Sequence, residues 1–181
     1  MPSWQRWQRC GPSSDWHERS EDTMSDLQQL YQEVILDHAK RRCGNLPLTG
    51  APENGDALFG SSHQVNPTCG DEITVEALYD PAAESLHMRW DGAGCSISMA
   101  SASVLAEMLD ELAPDRFAEV EASFHELMHS RGRGHADEDL LGDAAAFEGV
   151  SKFPARIKCA LLAWMAFKDA FVQAQAAAEG R

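Results

Sequence analysis

Between residues 72 and 90 the chain alternates in steps of two, and after Cys95 it changes to a helical period; that change limits the possible folds more than any other feature. In 72–79, Ile73, Val75, Ala77 and Tyr79 alternate with Thr74, Glu76 and Leu78, and in 85–90, Leu86, Met88 and Trp90 alternate with His87 and Arg89. Each run predicts a half-buried strand, and Asp80-Pro81 between them supplies the turn of an antiparallel hairpin. A further short strand is expected at 63–66, with loop over 44–60, which is rich in Gly, Pro and Asn. Beyond Cys95, Ile97, Val104, Leu105, Met108, Leu109 and Leu112 line one helix that stops before Pro114. Phe117, Val120, Phe124, Leu127 and Met128 line the next, which ends in a mobile connection at 130–134. A short helix is expected near 138–147. The last starts at Pro154, a favoured first helical position, and buries Ile157, Leu161, Trp164, Phe167 and Phe171.

One helix precedes the strands. Ser25 with Gln28 forms a capping box, and Leu27, Leu30, Tyr31, Val34, Ile35 and His38 form a stripe that ends near Arg41-Arg42. Residues 1–23 lack periodicity and read as a disordered or non-native leader. Met24 reads as the natural start, with 24–181 as one domain and Cys10 outside the chemistry. The chain has 181 residues, enough for one core. The expected class is α+β, a small three-stranded antiparallel sheet packed against several helices.

The formal net charge is -14, which argues against nucleic acid as a partner, because that affinity depends on Lys and Arg neutralising phosphates. The strongest apolar run, around 159–167, is too short to span a bilayer, and the N-terminus has no secretory apolar core. A cytoplasmic protein with no membrane association is expected. In that setting five cysteines read as thiols or metal ligands rather than as a disulfide framework.

Three of them sit in unusual contexts. Cys69 lies in Asn66-Pro67-Thr68-Cys69-Gly70-Asp71, Cys95 follows Gly92-Ala93-Gly94, and Cys159 ends Phe153-Pro154-Ala155-Arg156-Ile157-Lys158. Gly70 permits a turn that points Cys69 and Asp71 at one centre. Cys95 opens a helix whose dipole favours a thiolate, and Cys159 lies early in the last helix with Arg156 on the same face. Three thiolates and a carboxylate suit tetrahedral Zn²⁺. The spacing contains no Cys-x-x-Cys pair, and reading Cys95 and Cys159 as small buried hydrophobes stays open on the residues alone.

Cys69-Gly70-Asp71, Gly94-Cys95-Ser96-Ile97-Ser98 with Ala100-Ser101-Ala102-Ser103, and Arg156-Ile157-Lys158-Cys159 closely resemble the motifs of the U-type iron–sulfur assembly proteins. That family includes IscU and the N-terminal domain of NifU. The resemblance spans residues 27–171 and includes Leu30-Tyr31 and Ile35-Leu36-Asp37-His38. Lys158 stands where IscU-type scaffolds carry a histidine, and the segment between Cys95 and Cys159 is longer, with 125–136 in the extra part. Both features resemble the SufU branch. The resemblance implies Zn²⁺ held by Cys69, Asp71, Cys95 and Cys159, and a sulfurtransferase-like role accepting persulfide from a SufS-type cysteine desulfurase. Downstream partners would be an Fe–S scaffold or apo-protein acceptors.

In the implied relay a thiolate released from the metal attacks the terminal sulfur of the desulfurase persulfide. Cys69 is the expected acceptor, since a loop residue leaves a metal more easily than one fixed in a helix. Arg156 reads as holding Asp71, as stabilising the incoming anion, or as a helix-surface arginine. The alternative is a scaffold on which an Fe–S cluster is built and passed on; a zinc-stabilised interaction module is a third reading. Cys43 is expected to be a partly exposed thiol without function. His125 and His129 read as a solvated face, and His63 as either an edge-strand residue or a competing ligand.

Overall fold

The computed structural model describes residues 23–52 and 57–179; the leader, with Cys10, lies outside the described residues, apart from Thr23 at the start of the first helix. Helix α1 (Thr23–Arg41) leads into a three-stranded antiparallel sheet of β1 (Leu58–Asn66), β2 (Asp71–Asp80) and β3 (Ser85–Ala93), with β2 central. Then come α2 (Ser96–Leu109), a 3₁₀ turn, α3 (Phe117–His129), a one-turn α4 (Glu138–Leu141), a 3₁₀ segment (Gly142–Lys152) and the long α5 (Pro154–Glu179). The α+β class and the antiparallel hairpin follow the sequence pattern.

The edges of the elements differ from expectation in instructive ways. β1 starts at Leu58, inside the stretch expected to be loop. Its residues Gly60, Ser61 and Ser62 read as turn chemistry, yet Gly60 is where α5 crosses the strand, and a Cβ there would strike the Ala170 carbonyl. α1 begins two residues before Ser25, so that serine lies within the helix rather than capping it. The stripe on α1 is buried at Ile35 and His38, whereas Leu27 and Leu30 stay exposed beside a shallow groove. The helix expected at 138–147 is a single α-turn followed by 3₁₀ backbone, with Gly142 at a positive φ between the two.

The core is one cluster. β2 and β3 contribute Ile73, Val75, Met88 and Trp90, α2 contributes Val104 and Leu105, and α5 contributes Trp164 and Phe167. Phe124 of α3 stacks on Trp164 at 4.2 Å between centroids. The small residues 100–103 let α2 approach α5 and α1 closely, and their hydroxyls are satisfied within the core. Ser101 donates to the Ala160 carbonyl at 2.6 Å, and Trp164 Nε1–H donates to Ser101 Oγ at 3.1 Å.

His38 ties α1 to the 3₁₀ segment. Its Nε2 lies 3.0 Å from Asp143 Oδ2, and its Nδ1 lies 3.0 Å from Ser103 Oγ. The hydrogen bond from His38, opposed by burial and helped by the charges of His38 and Arg41, holds the Asp143 carboxyl below the usual carboxylate range. A depressed folded value contributes stability that is fully present above the ordinary aspartate pKa of about 3.9 and is lost as pH falls through the folded value. Asp143→Asn is therefore expected to be less stable than wild type at neutral pH. The gap should close below about pH 4, as read by chemical denaturation across pH.

Candidate metal centre

The site forms at one end of the sheet, where β1 turns into β2, β3 runs into α2, and α5 begins. The Asn66–Asp71 turn is built by Asn66. Its carbonyl accepts from Cys69 N–H at 3.3 Å and Gly70 N–H at 2.9 Å, and its Oδ1 accepts from Thr68 N–H at 3.2 Å. Gly70 adopts a φ of 72°, the left-handed conformation that glycine reaches at least cost. The turn leaves Cys69 exposed at its tip and returns the chain at Asp71, whose side chain is buried at 2% exposure.

Cys95 is the N-cap residue of α2, in extended backbone at φ −71° and ψ 166°. Its backbone N–H donates to Asp71 Oδ1 at 3.0 Å, and its Sγ lies 3.6 Å from Asp71 Oδ2. Ser98 Oγ donates to the Cys95 carbonyl at 2.9 Å and lies 3.7 Å from Cys95 Sγ. Gly94 has to be small, because a Cβ there would lie 2.5 Å from Ser98 Oγ and 2.9 Å from Asp71 Cγ. Cys159, buried in the second turn of α5, brings its Sγ to 3.4 Å from Cys69 Sγ. Asn66 Nδ2 lies 3.5 Å from the same sulfur.

The structure thus brings together all four residues singled out in the sequence. Ligand atoms of Cys69, Asp71 and Cys159 all lie within 4.8 Å of one another, and Cys95 joins them through Asp71. Burial pushes the Cys159 thiol well above its ordinary value, reinforced by Asp71, Cys69 and Cys95. Burial also works to raise the Asp71 carboxyl, but hydrogen bonds from Cys159, the Cys95 N–H, Ser98 and the Cys95 thiol outweigh it and hold the carboxyl low. Two residues without a role in the sequence reading belong here, Asn66 and Ser98. The turn signal of Asn66-Pro67 pointed to the first; the second lies in the Gly94–Ser98 motif, which marked its neighbourhood but gave it no role.

Other sequence candidates fall elsewhere. Arg156 is exposed, with its guanidinium over the Phe153 ring at 5.7 Å from the centroid, so its described contact is to that ring rather than to Asp71. His63 is exposed on the edge strand and bonds Thr74 Oγ1 at 2.9 Å. His125 and His129 are exposed and stacked, and His129 Nδ1–H donates to the His125 carbonyl. Cys43 corrects its expectation: it is buried at 5% exposure, because its N–H donates to Ser103 Oγ and its carbonyl accepts from Trp90 Nε1.

Next to the thiols runs a groove of about 670 Å³ between α1, the 3₁₀ segment and the start of α5. Tyr31, Leu36, Ile97, Val150 and Phe153 line it together with the three cysteines. No helix among the described residues is long and apolar enough to cross a membrane.

Fold and site together define a small α+β protein that gathers three cysteines and one aspartate at the open end of an antiparallel meander. The chain belongs to the NifU-like N-terminal domain family, whose pattern matches residues 30–160. It is 37% identical over 146 residues to the zinc-dependent sulfurtransferase SufU of Bacillus subtilis, covering 80% of this chain and 90% of that one. It is 33% identical to the iron–sulfur cluster assembly scaffold protein IscU of Streptococcus pyogenes, covering 81% and 86%. A crystal structure from Fervidobacterium islandicum, described as an iron–sulfur cluster assembly scaffold protein for the SUF system, superposes with a TM-score of 0.61. The two share 28% identity, over 79% of this chain and 97% of that one.

Proposed function

We propose that this chain is a zinc-dependent sulfur acceptor in SUF-type iron–sulfur cluster assembly, working in the cytoplasm and taking persulfide sulfur from a SufS-type cysteine desulfurase. The observation that carries the reading is the convergence of Cys69, Asp71, Cys95 and Cys159, with Cys69 exposed on a turn, Cys95 exposed at the start of α2, and Asp71 and Cys159 buried in β2 and α5. The donor set fits Zn²⁺. Bound at roughly 2.3 Å, two thiolates of a tetrahedral site lie somewhat under 4 Å apart, and Cys69 and Cys159 sulfurs are 3.4 Å apart. When bound, the ion would keep the thiols deprotonated and shield them from oxidation.

The residues divide the work by how firmly they are held. Asp71 is buried and accepts the Cys95 N–H, so it fixes the position of the α2 end relative to β2. Cys159 is anchored inside α5. Cys69 sits exposed at the tip of the turn, tied by its N–H to the Asn66 carbonyl and in contact through its sulfur with Cys159, and is the thiolate placed to move toward a donor. Its sulfur attacks the outer sulfur of the donor persulfide. The donor S–S bond breaks, its electron pair leaves on the donor cysteine as thiolate, and a new S–S bond forms on Cys69 with no net redox change. Arg156 borders the groove where that anion would arrive. Downstream, the sulfur would pass to an Fe–S scaffold or an apo-protein.

The scaffold reading, in which an Fe–S cluster is the cargo, is favoured by the similarity to the S. pyogenes protein; three cysteines and an aspartate are also a possible cluster ligand set. A native mass spectrum after incubation with desulfurase and cysteine separates the two. One zinc plus one additional sulfur mapped to Cys69 is the expected result. An iron–sulfur mass that replaces zinc when iron is supplied would favour the scaffold, and zinc without added sulfur during desulfurase turnover would defeat the relay.

A further inference from the structure

Lys152 and Arg156 line the groove beside the thiols, and the Arg131–Arg133 loop packs on Lys152, forming a basic lip that the chain's overall charge conceals. The formal net charge is -14, yet residues 149–168 contain no acidic side chain, and Arg131, Arg133, Lys152, Arg156 and Lys158 are all exposed. Arg41, Arg89, Arg116 and Lys168 each hold a carboxylate. Among the described residues, none of the five exposed cations has a carboxylate ion-pair partner. The acid that lines the groove among the described residues is Glu148, and its Oε2 is committed to the Ala136 N–H at 2.9 Å.

The connection at 130–134, expected from the sequence to be mobile, is hydrogen-bonded to the 3₁₀ segment. Arg131 and Gly132 both take left-handed backbone, at φ 57° and 75°, a conformation that disfavours a non-glycine residue. Two hydrogen bonds hold it: Gly132 N–H donates to Ser151 Oγ at 3.0 Å, and Ser151 Oγ–H donates to the Glu148 carbonyl at 2.6 Å. The loop backbone rests on the Lys152 stem, since a Cβ on Gly132 would lie 2.5 Å from Lys152 Cγ. Lys152 is followed by Phe153, which is 55% exposed although it lines the groove, and Leu36 across the groove is 52% exposed.

We propose that this lip and groove form the docking surface for an acidic, extended segment of the sulfur donor. An apolar side chain of that segment would seat between Phe153 and Leu36, while its carboxylates meet Lys152 and the Arg131–Arg133 loop. Charge complementarity selects this occupant. An apolar floor needs an apolar anchor, and a set of unpaired cations at its rim, in an otherwise acidic molecule, steers an anionic partner to the one face where Cys69 is exposed. The inference rests on the sulfur-acceptor reading and specifies how its donor is recognised.

The test compares two sulfur donors on zinc-loaded full-length protein: the desulfurase with cysteine, and a low-molecular-weight persulfide. Arg133→Glu with Lys152→Glu is expected to slow loading of Cys69 by the desulfurase about 10-fold or more, within the range of electrostatic steering. Loading by the small persulfide should be unchanged. Phe153→Ser should also slow only the desulfurase reaction. Wild-type loading by the desulfurase should fall as salt rises from about 50 to about 500 mM, a measurement that needs no variant. A salt-independent rate, an unaffected charge-reversal variant, or an equal loss with both donors would each overturn the docking surface. Failure of wild type to load from either donor would instead overturn the sulfur-acceptor reading.

Discussion

Asp71→Asn is expected to weaken zinc binding by at least the 10–100-fold typical of losing even an outer-shell partner, with the fold retained. The asparagine carbonyl can still accept the Cys95 N–H, now bonded to Asp71 Oδ1 at 3.0 Å, but it is a poor ligand for Zn²⁺ compared with a carboxylate. Asp71→Ala removes both functions. It leaves the Cys95 N–H, at the first turn of α2, without its acceptor, a loss of about 1–3 kcal/mol where the group stays buried. The two variants therefore separate metal binding from the structural hydrogen bond. Chelator competition should show both variants weak for zinc, and thermal melts of the metal-free proteins should show a lower midpoint for the alanine variant. Wild-type affinity in Asp71→Asn would remove the aspartate from the ligand set.

The same pair of measurements bears on what zinc contributes to the whole molecule. A ligand present at about 1,000 times its dissociation constant stabilises the state it binds by roughly 4 kcal/mol. Cys69, Asp71, Cys95 and Cys159 come from the β1–β2 turn, β2, the start of α2 and α5. A cation shared among them would cross-link the sheet end to both helices. Zinc-loaded wild type is accordingly expected to melt well above metal-free wild type, with about a third or more of that difference absent in Asp71→Asn.

The site was more legible in the sequence than the frame that carries it. Cys69-Gly70-Asp71, Gly94-Cys95 and Lys158-Cys159 were legible through their resemblance to the family motifs, since on the residues alone Cys95 and Cys159 read equally as small buried hydrophobes. The hairpin was legible too, because Ile73, Val75 and Ala77 of β2 and Leu86, Met88 and Trp90 of β3 recur in steps of two on a buried face, although Glu76 and Leu78 on the other face of β2 are buried as well. What the sequence concealed were contacts between residues far apart along the chain. His38 meets Asp143 across 105 positions, and Ser101 meets Ala160 across 59; no local pattern pairs them. The basic lip was equally hidden. Arg131-Gly132-Arg133 reads as a flexible tract until Ser151 and Lys152 are placed against it. The first strand was expected only at 63–66, and its beginning at 58–62 was missed for a related reason, since Gly60 and the serines after it suit a turn when judged by neighbours in sequence.

That misreading has the largest mechanical consequence. Gly60→Ala is expected to destabilise the protein severely, although it adds only one methyl group to a β-strand and alanine is the less flexible residue. The new Cβ would run into the backbone of α5, meeting the Ala170 carbonyl oxygen directly and the Ala174 nitrogen at 2.9 Å. A side chain in the way can rotate, but a helix backbone can only shift as a body. α5 cannot do so cheaply, because Trp164, Phe167 and Phe171 on it are locked into the core. Overpacking a well-packed interior costs about 1–3 kcal/mol and more when backbone must move, and a protein of this size loses roughly 2–4 °C of melting temperature per kcal/mol. A fall of about 10 °C or outright failure to fold is the expected result. Gly70→Ala is the control. Its φ of 72° imposes left-handed strain of about 1–2 kcal/mol, but nothing lies within 4 Å of its added Cβ. A melt in which Gly60→Ala costs no more than Gly70→Ala would mean that α5 does not lie directly on β1. The anchoring of Cys159 relative to the β1–β2 turn would then need a different explanation.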